Sequence, residues 1–161
     1  MSPSPTPAMV AEVVAIGDEM TSGARLDTNT QWLSRRLGEL GVSVAFHSTV
    51  GDTLEHNVDV FRVACARADV VVSTGGLGPT RDDLTRDALS ALTGKPLELR
   101  EDALEHITGL FARRKREMPE RNKIQAMFPR GSKQIDNPQG TAPGIDLLVP
   151  RPAGGACRVF A

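Results

Sequence analysis

The stretch that decides the fold is DVVVSTGGLGPTRDDLT, residues 69–85. It opens with a short, continuously apolar run, which is typical of a strand buried on both faces of a parallel sheet. Glycines at positions 75, 76 and 78 follow, and they let the backbone turn sharply and approach a ligand without Cβ clashes. Two adjacent carboxylates, Asp82 and Asp83, then precede a new apolar pattern. A strand, a glycine loop and a helix in this order predict one unit of an α/β sheet.

The rest of the chain extends this pattern. Strands are predicted at 9–16, 42–50 and 69–74, and helices at 28–40, 53–68 and 81–92. Further helices are predicted around 104–111 and 119–128, and strand candidates lie at 145–149 and 156–161. This alternation predicts a three-layer α/β/α domain with a mostly parallel sheet.

Domain boundaries follow from composition. Residues 1–8 are rich in proline and read as a flexible tail, and residues 9–161 read as a single domain. The last predicted strand ends in CRVFA without its following loop, so we expect the domain to be truncated at its C-terminal end.

Composition narrows the function classes. The net charge is −1 and aromatic residues make up 4% of the chain, which argues against a nucleic-acid partner. No apolar run is long enough to span a membrane, and the start lacks the features of a signal peptide. The two cysteines, Cys65 and Cys157, have neither zinc-site nor disulfide-framework spacing, so we expect buried thiols in a cytoplasmic protein.

Three loops are predicted to converge. GDEM (17–20), GDTLE (51–55) and GGLGPTRDD (75–83) each follow a predicted parallel strand, and the carboxyl ends of such strands share one edge of the sheet. The backbone amides of the glycine loop precede a helix and suit an anion. Carboxylates beside them suit Mg²⁺ or another hard divalent cation that accompanies a phosphate.

The motifs also carry a family resemblance. TGGLGPTRDDLT, with GDEM and DTNTQWL ahead of it and MPERN and NPQGTAPG behind it, resembles the N-terminal domain of the CinA (competence/damage-inducible) family. That domain is similar to the MoaB/MogA molybdopterin-binding superfamily, which also includes the G domain of gephyrin. The resemblance covers roughly residues 10–161.

The resemblance implies a MogA-like fold and two candidate functions. One is metal-dependent hydrolysis of a nucleotide diphosphate such as ADP-ribose, which makes the chain a candidate ADP-ribose pyrophosphatase. The alternative is a molybdopterin-binding module of molybdenum cofactor biosynthesis. Relatives are commonly dimers or trimers, so we expect a homo-oligomer. The resemblance also implies that functional aspartates match Asp52 and Asp83.

The candidate site residues fall into three groups. Asp52 and Asp83 are the catalytic candidates, and Asp18, Asp82 and Asp83 are the candidate metal ligands. Contacts to a nucleotide or pterin phosphate are expected from the loop and two outlying polar residues: Gly75, Gly76, Leu77, Gly78, Thr80, Arg81, Asn29 and Thr141.

Several of these residues also have a purely structural interpretation. Asp52 could serve only as a helix N-cap, and Thr80 with Asp83 could form only a capping box. Asp27, Thr28 and Asn29 could form only a cap cluster, and Arg81 could be a solvated side chain. The segment 137–144, which contains Thr141, could be a plain connector, whereas the resemblance suggests that it closes over the ligand.

Overall fold

The computed structural model describes residues 9–161, and the predicted flexible tail lies outside the described residues. The strands are β1 (Val10–Ile16), β2 (Ser43–Val50), β3 (Val70–Thr74), β4 (Leu97–Leu99), β5 (Met127–Pro129), β6 (Lys133–Ile135), β7 (Gly144–Pro150) and β8 (Ala156–Phe160). The helices are α1 (Asp18–Thr21), α2 (Thr28–Glu39), α3 (Leu54–Arg67), α4 (Thr85–Thr93) and α5 (Glu101–Arg113), with a 3₁₀ helix at Glu120–Ala126.

The main sheet is mostly parallel, as predicted. Its strand order is β2-β1-β3-β8-β7-β6. The first four strands pair in parallel, and β7 and β6 then pair in the antiparallel sense. A separate two-stranded sheet joins β4 and β5. The α/β fold class inferred from the sequence is therefore confirmed.

The helices lie on both faces of this sheet. The chain steps from β1 outward to β2 through α2, and then returns across β1 to β3 through α3. Because such crossovers are right-handed, the two steps in opposite directions place α2 and α3 on opposite faces. The direction of winding reverses between β1 and β3, and the crevice beyond the carboxyl ends of these two strands is where open α/β sheets bind their ligands.

One buried cluster joins the α3 face of the sheet to the helices that pack there. Alternate residues of β1, Val14 and Ile16, belong to this cluster together with Phe61 and Ala64 of α3, Leu89 of α4 and Ile107 of α5. Both cysteines are buried in it as free thiols, as expected. Within residues 9–161, no helix has the length and apolar character needed to cross a bilayer.

A buried ion pair anchors α3 to the central strand. The Glu12 carboxylate is fully buried on β1 and accepts two hydrogen bonds from the Arg67 guanidinium, at 2.8 and 2.7 Å. The hydroxyl of Ser48 on β2 donates to the same carboxylate at 2.6 Å. The carboxylate is therefore satisfied by charge and hydrogen bonds, as a buried acid must be.

Two helix predictions differ from the structure. The segment predicted as a helix at 119–128 is a 3₁₀ helix that ends at Ala126 and leads into β5. The expected helix start at about residue 81 is wrong, because α4 begins at Thr85. Residues 75–84 form an extended loop, in which the Thr80 hydroxyl bonds to Asp83 outside the helix. The capping box expected from this pair is a loop contact, and α4 has Leu84 at its N-cap position without a side-chain cap.

Candidate functional site

The first two loops join at the sheet edge through their aspartates. The Asp52 amide donates to the Asp18 carboxylate at 2.9 Å, and the Asp18 amide donates to the Asp52 carboxylate at 3.1 Å. Gly51 leaves room for this contact, because a Cβ there would collide with the Asp18 carboxylate. The reciprocal pair fixes both acids beyond the carboxyl ends of β1 and β2. Asp52 therefore acts in this pair and not as an N-cap, since Thr53 holds that position before α3.

The third loop approaches the first at the switch point. Gly75 has φ +101°, and a Cβ on it would collide with the carbonyl oxygen of Ile16, the last residue of β1. Only glycine fits this conformation and this approach without strain. The glycine loop therefore starts directly beside the end of β1, one residue before the loop that carries Asp18.

The carbonyl groups of the glycine loop are bound by the first two residues of α4. The Thr85 hydroxyl donates to the Gly75 carbonyl at 2.8 Å, and the Thr85 amide donates to the Gly76 carbonyl at 3.1 Å. The Arg86 guanidinium donates to the Leu77 carbonyl at 2.6 Å and to the Gly78 carbonyl at 3.4 Å. All four carbonyls of residues 75–78 thus face the start of α4.

The amide groups of the same loop face the other way. In a trans peptide the N–H points opposite to the C=O, so the amides of Gly76 and Leu77 point away from α4. Among residues 9–161, the amides of Gly75, Gly76 and Leu77 have no hydrogen-bond acceptor. The Gly78 amide does have one, since it donates to Asp83 at 2.8 Å. We call the amides of Gly75–Leu77 the amide cradle.

Asp83 stabilises the glycine loop, to which it belongs, through hydrogen bonds. Its carboxylate accepts hydrogen bonds from the Gly78 amide at 2.8 Å, from the Thr80 amide at 2.8 Å and from the Thr80 hydroxyl at 2.6 Å. The carboxylate thereby stands beside the amide cradle and already binds one amide of the glycine motif. Two of the predicted ligand contacts, Gly78 and Thr80, are engaged with it.

Negative charge accumulates around Asp52. Burial raises the pKa of Asp52, and the charges of Asp18, Glu19 and Asp82 raise it further against the opposing hydrogen bond from the Asp18 amide. Acids from all three loops therefore act on one another electrostatically at this edge. Like charges held together in this way are relieved by a bound cation or by a proton.

The remaining predicted contacts lie further out. Arg81 is exposed in the glycine loop, and Asn29 is exposed in the first turn of α2, whose N-cap is Asp27. Thr141 lies in the segment between β6 and β7, which Asn137 holds in shape through bonds to Gln139, Gly140 and Ala142. Because β7 is antiparallel and starts beside the end of β8, this segment lies at the same edge of the sheet.

Sequence reasoning missed Thr85 and Arg86. Arg86 is 1% exposed, and within the described residues no carboxylate lies at ion-pair distance from it. Burial lowers the pKa of Arg86 to about 10, opposed by the charges of Asp83 and Asp87. The available signal was its spacing, since position 86 shares a helical face with the buried Leu89.

The sheet order, the glycine loop at the switch point and the acids around it define a class of α/β proteins, and comparison with known proteins identifies it. The chain belongs to the family described as "Probable molybdopterin binding domain", which matches residues 12–152. Within that family it is a member of the CinA branch. A solved CinA from Thermoplasma acidophilum is 33% identical, with a TM-score of 0.85, and the match covers 96% of this chain and 88% of that one.

Further relatives with CinA-type descriptions support this assignment. A "CinA-like protein" of Dictyoglomus thermophilum is 45% identical over 139 residues, which is 86% of this chain and 34% of that protein. A protein of Caldicellulosiruptor bescii described as competence-damage inducible is 45% identical over 152 residues, 89% of this chain and 37% of that protein. The chain thus spans about a third of the length of these relatives. MoaB of Thermus thermophilus shares the fold at 18% identity, with a TM-score of 0.54 over 94% of this chain and 79% of that one.

Proposed function

We propose that the site binds the diphosphate of a nucleotide such as ADP-ribose and hydrolyses it. One observation carries the proposal: α4 binds every carbonyl of residues 75–78, and the amides of Gly75, Gly76 and Leu77 have no acceptor among residues 9–161. Amides presented together in this way bind phosphate oxygens. The exposed Arg81 in the same loop adds a charge that favours the anion.

The acids of the site suit a hard divalent cation such as Mg²⁺. Asp18 is the first candidate to hold it, with Asp82 and Asp83 from the third loop. Within residues 9–161 no three acidic, histidine or cysteine side chains are grouped closely enough to hold a metal by themselves. That suits Mg²⁺, which uses one or two carboxylates and takes its other ligands from water and substrate phosphate. When bound, such an ion neutralises phosphate charge and polarises the phosphoanhydride.

Asp52 is the proposed general base. One of its oxygens accepts from the Asp18 amide, whereas the other has no hydrogen-bond partner among residues 9–161. Its raised pKa makes this carboxylate a better proton acceptor than an ordinary aspartate. Water adds to one phosphorus and gives a proton to Asp52. The bond from that phosphorus to the bridging oxygen breaks, and the oxygen leaves with the other phosphate. ADP-ribose and water yield AMP and ribose 5-phosphate.

The amide cradle supplies the charge stabilisation that this step requires. The N–H groups of Gly76 and Leu77 are oriented before the ligand arrives, because Thr85 holds the carbonyl oxygens of the same two peptides, those of Gly75 and Gly76. Donors that are oriented in advance stabilise developing oxygen charge without reorganisation. Asp83 keeps the end of the loop in place through Gly78 and Thr80.

A groove with polar side chains along its walls suits the sugar of the ligand. It runs between α2 and β2, has a volume of about 480 Å³ and is lined by groups that include Asp27, Thr30 and Thr49. Thr49 precedes the last residue of β2 and so lies close to the loop that carries Asp52. Asn29 neighbours Thr30 in the first turn of α2. Hydroxyl, carboxylate and amide groups of this kind bind ribose hydroxyls.

The proposal is tested by incubating the purified chain with ADP-ribose and a series of divalent ions and measuring AMP. We expect AMP and ribose 5-phosphate in equal amounts, with no product when a chelator is present. A folded chain that releases no AMP with any of these ions would refute the hydrolase proposal.

The alternative is a binding module for molybdopterin or its adenylated form. The family description and the MoaB-type fold favour it. Molybdopterin also carries a phosphate, so the same amide cradle would hold it. Tight binding of molybdopterin together with the absence of ADP-ribose turnover would favour this alternative.

A further inference from the structure

Arg86 is the bulkiest of the fully buried side chains among the described residues. Its guanidinium donates to the carbonyls of Leu77 and Gly78, and its Nε has no hydrogen-bond partner within residues 9–161. A buried cation without a carboxylate partner is costly, since carbonyl dipoles replace only part of its hydration. A helix that needed only to pack against the sheet would be more stable with an apolar residue at this position. A role other than packing must therefore explain the positive charge of Arg86.

The guanidinium lies on the carbonyl side of the glycine loop, opposite the amide cradle. This position suggests why the buried charge is present. Arg86 binds the carbonyl of the Leu77–Gly78 peptide, and Asp83 binds the N–H of the same peptide from the opposite side. The peptide is thus held between a cation and an anion, and its orientation is fixed. The neighbouring peptides, whose carbonyls Thr85 binds, present their N–H groups on the side away from Arg86.

We infer that Arg86 is a positioning residue for the phosphate site: it fixes the carbonyls of Leu77 and Gly78 and places a positive charge, without an ion-pair partner among residues 9–161, on the side of the glycine loop opposite the amide cradle. The inference rests on the proposed phosphate binding. A phosphate on the cradle does not touch Arg86, yet it is attracted by a charge that burial protects from screening by salt. The bound anion in turn offsets part of the charge of the guanidinium through space. At its lowered pKa of about 10, Arg86 remains protonated at neutral pH.

A purely structural role makes a different prediction. If Arg86 only packs and satisfies two carbonyls, its replacement disturbs the loop and weakens every ligand to a similar extent. If its charge attracts the ligand, the loss grows with the ligand's charge. Inorganic pyrophosphate and AMP differ in charge. Comparing the loss of affinity for these two ligands therefore distinguishes a packing role of Arg86 from a charge effect.

The test measures dissociation constants for pyrophosphate and AMP by calorimetry, with wild type, Arg86→Met, Arg86→Lys and the surface control Arg62→Met. Arg86→Met is expected to weaken pyrophosphate by about tenfold to a hundredfold, as expected for removing a unit charge behind a bound anion. The loss for AMP should be smaller. Arg86→Lys keeps the charge but loses the planar fork, so it should recover part of the affinity. Arg62 forms an exposed ion pair with Asp59, and its replacement should change neither constant.

Two results would overturn the inference, and they differ in what else they overturn. Wild-type protein that binds pyrophosphate while Arg86→Met binds it equally well refutes the role of Arg86 and leaves the phosphate site intact. Wild-type protein that binds neither ligand refutes the phosphate site and Arg86's role together. If Arg86→Met does not fold, Arg86→Gln, which is polar but uncharged, takes its place, and equal affinity losses for pyrophosphate and AMP in that variant refute the charge effect.

Discussion

At the scale of single residues, the aspartates of the site differ in how many of their carboxylate oxygens already accept hydrogen bonds. Asp83 is occupied on both oxygens by its own loop, whereas one oxygen of Asp52 has no partner among residues 9–161. The sequence marked both as catalytic candidates without distinguishing them. The geometry favours Asp52 as the proton acceptor and gives Asp83 a structural part in addition to the proposed catalytic one.

Asp52→Asn tests that difference. The amide oxygen of asparagine can still accept from the Asp18 amide, but the group cannot take a proton from water. We expect AMP release to fall by about two orders of magnitude or more. Because the pKa of Asp52 is raised in the folded state, ionised Asp52 lowers stability at neutral pH, and the melting temperature should stay level or rise. Asp59→Asn on the exposed face of α3 is the matched control and should leave turnover unchanged.

Asp83→Ala should behave differently. It leaves the Gly78 and Thr80 amides without their acceptor, and the loss of such hydrogen bonds costs about 1–3 kcal/mol in the free energy of unfolding. Chemical denaturation measures this loss. An Asp83→Ala variant as stable as the wild type would contradict the structural part of this residue.

At the scale of elements, the central strands and helices could be predicted because their apolar periods are strong. The apolar runs of β1 and β3 and the repeat of α3 match the structure within one or two residues. The start of α4 could not be placed, since Thr80, Asp82 and Asp83 have a good capping pattern that the loop uses instead. The strands β4, β5 and β6 have three residues each and carry too little periodicity to detect.

The approach of the third loop to β1 is a second element-scale feature, and Gly75→Ala tests it. Gly75 and Gly154 both have positive φ, at +101° and +95°, but only Gly75 would bring a Cβ against backbone. Gly154→Ala should therefore cost about 1–2 kcal/mol for the backbone conformation alone. Gly75→Ala should cost clearly more in denaturant unfolding, because β1 and the glycine loop must move apart. Equal losses in the free energy of unfolding for the two variants would show that the close approach of Gly75 to β1 does not affect stability.

At the scale of the whole molecule, acid should loosen the sheet where distant segments meet. Asp69, just before β3, accepts from the Val10 amide at 3.0 Å and from Arg151 at 3.2 Å, beyond the end of β7. The hydrogen bond from Val10, followed by Arg151, holds the pKa of Asp69 below its ordinary value. Its contribution is therefore complete at neutral pH and is lost as the pH falls below about 4 through the lowered pKa.

The variant Asp69→Asn tests whether the stabilising contribution of Asp69 is lost at low pH. The variant should be less stable than the wild type at neutral pH, and the difference between their melting temperatures should shrink as the pH is lowered toward 2. A difference that stays constant over this range would mean that the carboxylate's charge contributes nothing to the junction.

The most direct test of the account concerns the amide cradle itself. The backbone amide signals of Gly75, Gly76 and Leu77 can be followed by NMR while pyrophosphate is added, with and without Mg²⁺. The account predicts that these three amides shift most, toward hydrogen-bonded positions, while exposed amides of α5 stay in place. Saturable binding that leaves the three signals unmoved, or the absence of binding, would contradict it.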